Sequence, residues 1–298
     1  MLIKQIIPPI IYNVYRNIAT KYKKKYTIGK YRISIPPNHA LPTFQKYHKL
    51  YDRFLPVLAK HISSEKIIID VGANIGDTII SLIQNCSNPA ICIEPSDLFY
   101  SYLVNNLAKI DIADSKRIQM IKKMIGTGNI KGNLEHSKGG TATVLSVNCW
   151  DSKTHTPLDS IIDEKNEVVL LKVDTDGFDF DVICSSPKLL ANSEPILFWE
   201  NEISYEFQIK GFNELYFMLE KIGYKYVYIF DNFGNLLINE IGFNSARYIN
   251  EYLYSMKMYN CTRTFNYIDI MASTDRYHDN VVAAINEYKN EWITSKFK

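Results

Sequence analysis

The stretch "IIIDVGANIGDTIISL", Ile67 to Leu82, decides the fold. Three isoleucines run into Asp70, a turn carries Gly72 and Gly76, and an apolar helical pattern starts at Asp77. A buried strand, a glycine-bearing turn and a helix form the opening unit of an open α/β sheet, whose ligands sit beyond the carboxyl ends of its strands. Gly72 lets the backbone approach closely, and Gly76 lets the helix start pack tightly. The N–H groups at that helix start favour a polar or anionic group.

Downstream, continuous apolar runs alternate with amphipathic helices. Strands are expected at Ala90–Ile93, Ile118–Ile121, Val144–Val147, Val168–Val173, Ile196–Trp199, Tyr226–Phe230 and Tyr267–Ala272. Helices are expected from Ser96 to about Lys109, with Leu98, Phe99, Tyr102, Leu103 and Leu107 inward, and over Asp179–Ser185, Phe212–Ile222 and Ala246–Met258. The Gly- and Asn-rich passage "GTGNIKGNLEHSKGGTAT" reads as a loop. Strands without polar alternation imply a mostly parallel sheet covered on both faces. Upstream, "YTIGKYRISIPPNHALP" reads as a short strand or hairpin, and "TFQKYHKLYDRFLPVLAKHI" as an amphipathic helix that Pro56 kinks or restarts. The chain divides into an N-terminal extension over residues 1–62, a main domain over 63–275 and a C-terminal helix over 276–298 on that domain.

The turn leaves a dehydrogenase, a flavoprotein and a methyltransferase in play, because Glu94 ends the second strand where an acid accepts hydrogen bonds from ribose hydroxyls. A dinucleotide fingerprint wants three glycines for a pyrophosphate. Here Ala73 and Asn74 separate Gly72 from Gly76, and Asp70 and Asp77 flank the turn. Two acids repel a pyrophosphate and suit the cationic end of S-adenosylmethionine. The plainer reading, that they only cap the turn, stands beside it. A second acidic stretch, "VVLLKVDTDGFDFDVICSS", delivers Asp174, Asp176 and Asp179, and "EPILFWENE" delivers Glu200 and Glu202. Such crowding is costly unless the acids are exposed, paired or on a metal. The spacing is not that of an EF-hand, since position twelve is Ser185.

In order and spacing, these motifs resemble the FkbM-type S-adenosylmethionine-dependent methyltransferases. "IIDVGANIGDT" resembles that family's first motif, and "IEPSDLFYSYLVNN" its EPxxxxxxxLxxN segment. "TPLDSII", with Asp159, resembles TLDxL; "KVDTDGFD" resembles KxDxEGxE; and "ILFWE" resembles a later strand ending in Glu. The flanks "PPNHALPTFQKYHKLYDRF" and "IFDNFGN" look like members associated with surface-polysaccharide genes. Asp176 and Asp179 stand where the family commonly has Glu. The resemblance implies a Rossmann-like class I methyltransferase with a seven-stranded sheet, and O-methylation of a sugar hydroxyl, on a nucleotide sugar or in a surface glycan. Methylation of a polyketide or other small-molecule hydroxyl, and a non-catalytic nucleotide-binding protein, are the alternatives. It implies a cofactor site of Asp70, Gly72, Ala73, Asn74, Gly76, Asp77 and Thr78, with Glu94, Pro95 and Ser96 at the ribose. Met124 and Ile125 lie where adenine is expected, and Asp174 is shared with the acceptor side.

A sugar hydroxyl is a weak nucleophile, so a base or a divalent metal should help. Asp174 and Glu200 are the candidates, with His39 in "PPNHALP" a third. Their plainer roles are to hold the methionine amino group, to fix a loop and to shape a turn. No dedicated metal-ligand set is evident.

The composition agrees. Of 298 residues, 34 are basic and 32 acidic, a net charge of +2 that argues against nucleic acid as the main partner. Base methylases often carry an Asn/Asp-Pro-Pro-aromatic motif, whereas the fourth strand here ends in DTDG. Cys86, Cys92, Cys149, Cys184 and Cys261 are scattered without a CxxC pair, as in a reduced, cytoplasmic protein. The N-terminal "MLIKQIIPPIIYNVYRNIATKYKKKY" is neither a signal peptide nor a span, because Pro8 and Pro9 interrupt it. Packing on the core or on a second subunit is one expectation for it. Contact with the inner face of a membrane through Lys21 and Lys23–Lys25 is the other.

Overall fold

A computed structural model describes residues 24–128, 132–136, 142–146, 155–259, 261 and 267–296, and at 132–136, 142–146 and 292–296 the backbone only. The expectations for the N-terminal segment before Lys24 and for Cys149 lie outside these residues. In chain order the elements begin with strands β1 (Lys24–Ile28) and β2 (Tyr31–Ile35) and helices α1 (Leu41–Tyr47) and α2 (Phe54–His61). Then come β3 (Ile67–Val71), α3 (Asp77–Leu82), β4 (Ala90–Ile93), α4 (Asp97–Leu107), α5 (Ile112–Lys116) and β5 (Ile118–Ile121). A hairpin of β6 (Gly132–His136) and β7 (Ala142–Ser146) precedes β8 (Val168–Val173), α6 (Asp179–Cys184), α7 (Pro187–Ser193) and β9 (Ile196–Asn201). The last elements are α8 (Glu206–Ile222), β10 (Tyr226–Asp231), β11 (Leu236–Ile241), α9 (Phe243–Met258), β12 (Ile268–Ser273) and α10 (His278–Lys296).

The central sheet has the order β11-β10-β12-β9-β8-β3-β4-β5. Strands β5, β4, β3, β8 and β9 pair in parallel. β12 lies antiparallel between β9 and β10, so β10 runs with the parallel set. Both faces are buried: Ile68, Cys92 and Leu170 belong to one core, and Ile69, Ile91, Leu171 and Trp199 to the other. That double burial is why the strands read as unbroken apolar runs.

The expected mostly parallel α/β sheet is present, with one strand more than the seven expected. The extra strand, β11, is an edge strand whose residues are half-buried or exposed, so it lacks the apolar signal of its neighbours. The helix expected over residues 43–62 is two helices, because the chain turns sharply between Tyr47 and Phe54; Pro56 sits in the first turn of the second. Ser96 caps α4 by accepting from Phe99 N at 3.3 Å. Leu98 faces solvent rather than the core, since the buried stripe is Phe99, Tyr102, Leu103, Asn106 and Leu107. The passage expected to be a loop holds β6, and the strand expected at Val144–Val147 is β7, which pairs antiparallel with β6 and stays outside the central sheet.

The β1–β2 hairpin, α1 and α2 share a core with α3, α4 and α10: Ile33, Leu58, Ile79, Leu103 and Ile285 all belong to it. Among the described residues no helix is long and apolar enough to cross a membrane.

Candidate active site

The carboxyl ends of β3, β4, β8 and β9 open into a cavity of about 590 Å³. That lies within the size range of small-ligand sites. Residues of α1, the turn before α2 and the start of β12 form its opposite wall.

One half is built by the turn after β3. Gly72 has φ 79°, and a Cβ there would stand 1.8 Å from the Asp174 carbonyl oxygen, so only glycine lets this turn lie against the end of β8. Its N–H, and that of Ala73, donate to Ile93 O at 2.9 and 3.0 Å. Glu94 is buried and accepts from Asn74 N at 2.9 Å and Ser96 N at 2.8 Å. Burial pushes its carboxyl up to about 7 against those two hydrogen bonds. Gly72, Asn74, Asp77, Thr78, Glu94 and Pro95 line the cavity, with Met124 and Ile125 beyond them.

Asp70, Ala73, Gly76 and Ser96 do not line it. Ala73 is buried, and a Cβ on Gly76 would meet Leu103 at 2.8 Å, so both residues face the core. Ser96 fixes Glu94 and caps α4. Asp70 is fully buried and meets Lys172 Nζ at 3.0 Å, with no donor on its second oxygen.

Lys172, in the "KVDTDGFD" strand, joins the two halves. Its ammonium lies 3.0 Å from Asp70, 3.3 Å from Asp174 and 3.5 Å from Gly72 O. Burial opposes its charge, but Asp70 and Asp174 outweigh that and hold its pKa well above the usual lysine value. The lysine stood inside the motif but was not singled out as a site residue; an ionisable side chain in an otherwise apolar strand was the signal.

The acids after β8 take different roles. Asp179 is a brace: it accepts from Thr175 N and Oγ1 at 3.1 and 2.9 Å and from Glu200 N at 3.1 Å. Burial and then Asp174 push it up to about 7. Asp176, at φ 52°, lines the cavity and is pushed up to about 8 by burial and by Asp174. Asp174 and Glu200 line the cavity together; burial, then Asp174, Asp176 and Asp179, hold Glu200 well above the usual carboxyl range. His39 also lines it. Its Nδ1 accepts from Leu41 N at 3.3 Å, so the neutral ring carries its proton on Nε2, which is buried without a partner. Asp159 lies elsewhere and caps α7, accepting from Lys188 N and Leu189 N at 2.9 and 3.0 Å.

Among the lining residues that escaped the sequence reading are Tyr51, Asp52, Tyr267 and Asp269. Asp269 carried a signal, a charge inside the apolar strand "YIDIMA". Burial, then Asp174 and Asp52, raise it well above the usual range. Tyr51 and Asp52 carried none, since "KLYDRF" reads as one more stretch of amphipathic helix. Among the described residues no three His, Cys, Asp or Glu side chains come together as a metal-ligand set.

The arrangement fits a cationic nucleoside. Glu94 offers carboxylate oxygen beside a glycine turn. Met124 and Ile125 offer apolar faces beyond it. Asp77 and Asp174 offer negative charge at the other end.

No curated protein matches the chain. Among solved structures, the methyltransferase FkbM of Methylobacillus flagellatus KT is 18% identical, covering 61% of this chain and 52% of its own, with a TM-score of 0.38. This chain thus spans about half the length of that protein. The O-methyltransferase of Bacillus cereus, solved with SAH, is 12% identical over 79% of this chain and 89% of its own, with a TM-score of 0.45. A SAM-dependent methyltransferase of Aquifex aeolicus is 10% identical over 78% and 96%, with a TM-score of 0.38. The model of the methyltransferase FkbM domain matches residues 70–226, more than half of the sequence, from the buried Asp70 through the Lys172 strand to β10, and the chain belongs to the FkbM methyltransferase family.

Proposed function

We propose that this methyltransferase moves the methyl group of S-adenosylmethionine to a hydroxyl of a sugar, carried on a nucleotide or in a surface glycan. The observation that carries this reading is the cavity wall, where Asp52, Asp174, Asp176, Glu200 and Asp269 stand with Tyr51 and Tyr267. Carboxyl groups and phenols hydrogen-bond hydroxyls from several sides, and the tyrosine faces stack on a sugar ring.

The bound cofactor supplies a methyl group on positively charged sulfur. Gly72, Asn74 and Glu94 would hold the nucleoside, and Asp77 and Asp174 would face the cationic end. The acceptor half must align the hydroxyl with the methyl carbon and exclude water. Glu200 is buried among acids that hold it well above the usual carboxyl range, which fits it to orient the acceptor oxygen by donating to it. His39 Nε2 is a second donor, and neither is placed as the base in this state.

Glycan mass spectrometry of a deletion strain tests the reading. One O-methyl group should vanish and return on complementation. Unchanged O-methylation of every glycan and nucleotide sugar would count against it.

A further inference from the structure

Two flanking motifs of the sequence, "PPNHALPTFQKYHKLYDRF" and "IFDNFGN", meet in the structure. Asp52 lies in the turn between α1 and α2 with φ 58°, in the left-handed region that aspartate adopts only where its surroundings fix it. Those surroundings are specific. Tyr51 N donates to His48 O at 3.2 Å, and Arg53 N to Leu50 O at 3.0 Å. The Tyr51 ring stacks on Phe44 at 5.0 Å, and the His48 ring on Phe233 at 3.9 Å.

The Asp231–Asn235 turn presses on the same loop. Asp231 Oδ1 accepts from Phe233 N and Asn235 N at 2.9 and 2.8 Å. Gly234 has φ 86°, and a Cβ on it would lie 2.2 Å from Leu50 O. The buried Tyr288 hydroxyl of α10 stands 2.6 Å from Gly234 O and 3.3 Å from Leu50 O. The hairpin turn after β10 and the last helix therefore clamp the loop that places Asp52 on the cavity wall.

We infer that Asp52 is the catalytic base, taking the proton of the acceptor hydroxyl during methyl transfer. The oxygen–methyl bond forms, the carbon–sulfur bond breaks with its electron pair left on sulfur, and the hydroxyl proton passes to Asp52. This rests on the methyl-transfer reading above. Unlike Asp174, which Lys172 engages at 3.3 Å, and Asp179, which braces a loop, Asp52 lines the cavity with its carboxyl in no ion pair or hydrogen bond among the described residues.

The groups acting on it are Asp77 and Asp174 from the cofactor side, Lys172 and Arg53, with Asp269, Tyr51 and Tyr288 also coupled to it. The enclosing walls, then Asp77 and Asp174, push it up to about 8. The residue is solvent-exposed, which moderates that rise. A base whose pKa lies near the working pH is the effective kind. The positive charge of a bound donor lowers it further toward neutrality.

Asp52→Asn is the test, because asparagine tolerates the same backbone conformation. The readouts are calorimetric affinity for S-adenosylmethionine and label transfer from its methyl-tritiated form into a total glycan and nucleotide-sugar extract of the cells. Label transfer should fall about 100-fold or more while cofactor affinity stays within about threefold. Asp52→Glu should recover part of the transfer, and the wild-type rise in rate through pH 7–8 should vanish in the Asn variant. Wild-type transfer by Asp52→Asn, or a loss that tracks cofactor affinity, would overturn the assignment and leave methyl transfer standing. A wild-type protein that binds cofactor and labels nothing would overturn both.

Discussion

Lys172 sets the charge balance of the cavity. It is a buried cation among carboxyls, paired with Asp70 and Asp174, and it keeps its proton. The remaining acids share no second buried cation of that kind among the described residues. Glu94 and Asp179 are pushed up to about 7, and Asp176 to about 8. In an unfolded chain such carboxyls titrate near ~4. Between ~4 and 8 the cofactor-free folded state therefore binds more protons than the unfolded state, and stability falls as pH rises through that window. Surface carboxyls held low by partners, such as Glu287 beside Lys60, act below it. The urea midpoint of the cofactor-free protein should drop from pH 5 to pH 8. A midpoint that climbs over that range would contradict the raised carboxyls.

At the scale of elements, Asn106 ties the N-terminal hairpin to the glycine turn. Its amide donates to Ser34 O and Ile75 O at 2.9 Å each, and its carbonyl accepts from Ser34 N at 2.8 Å. This is the asparagine that ends "EPSDLFYSYLVNN". It is fully buried, so its conversion to alanine strands three backbone groups. Asn106→Ala should cost about 3 kcal/mol or more, since each buried unsatisfied group costs ~1–3 kcal/mol. Chemical denaturation measures it, and a loss under about 1 kcal/mol would mean that water replaces the amide.

The same scale shows where the sequence spoke clearly. Elements buried on both sides, such as β3, β8 and β9, announced themselves by apolar runs and lie within a residue or two of their expected positions. β11 did not, because an exposed edge strand needs no apolar run. The break between α1 and α2 was hidden because the flanking residues keep a helical spacing that a single φ of 58° at Asp52 interrupts.

At the scale of the whole molecule, the site is assembled from three regions of sequence. The half proposed for the cofactor comes from contiguous motifs over Asp70–Ile125, of which Gly72, Asn74, Asp77, Thr78, Glu94, Pro95, Met124 and Ile125 line the cavity, while Asp70, Ala73, Gly76 and Ser96 stand behind the wall. The acceptor half joins the turn before α2 to the ends of β8, β9 and β12, which the chain brings together only on folding. Residue types alone did not reveal Asp52 or Tyr267, since nothing local marks them. The near-neutral overall charge likewise conceals a cavity lined by nine carboxyl side chains and three lysines. That surplus is what a cationic cofactor relieves.

The central claim is that the cavity is built for a positively charged methyl donor, and calorimetry tests it most directly. Titration at pH 7.5 with S-adenosylmethionine, S-adenosylhomocysteine and NAD, repeated in two buffers of different ionisation enthalpy, counts the protons that move. The account predicts saturable binding of S-adenosylmethionine with net proton release, smaller release with the uncharged-sulfur product and no binding of NAD. Saturable NAD binding without S-adenosylmethionine binding, or proton uptake on binding the donor, would contradict it.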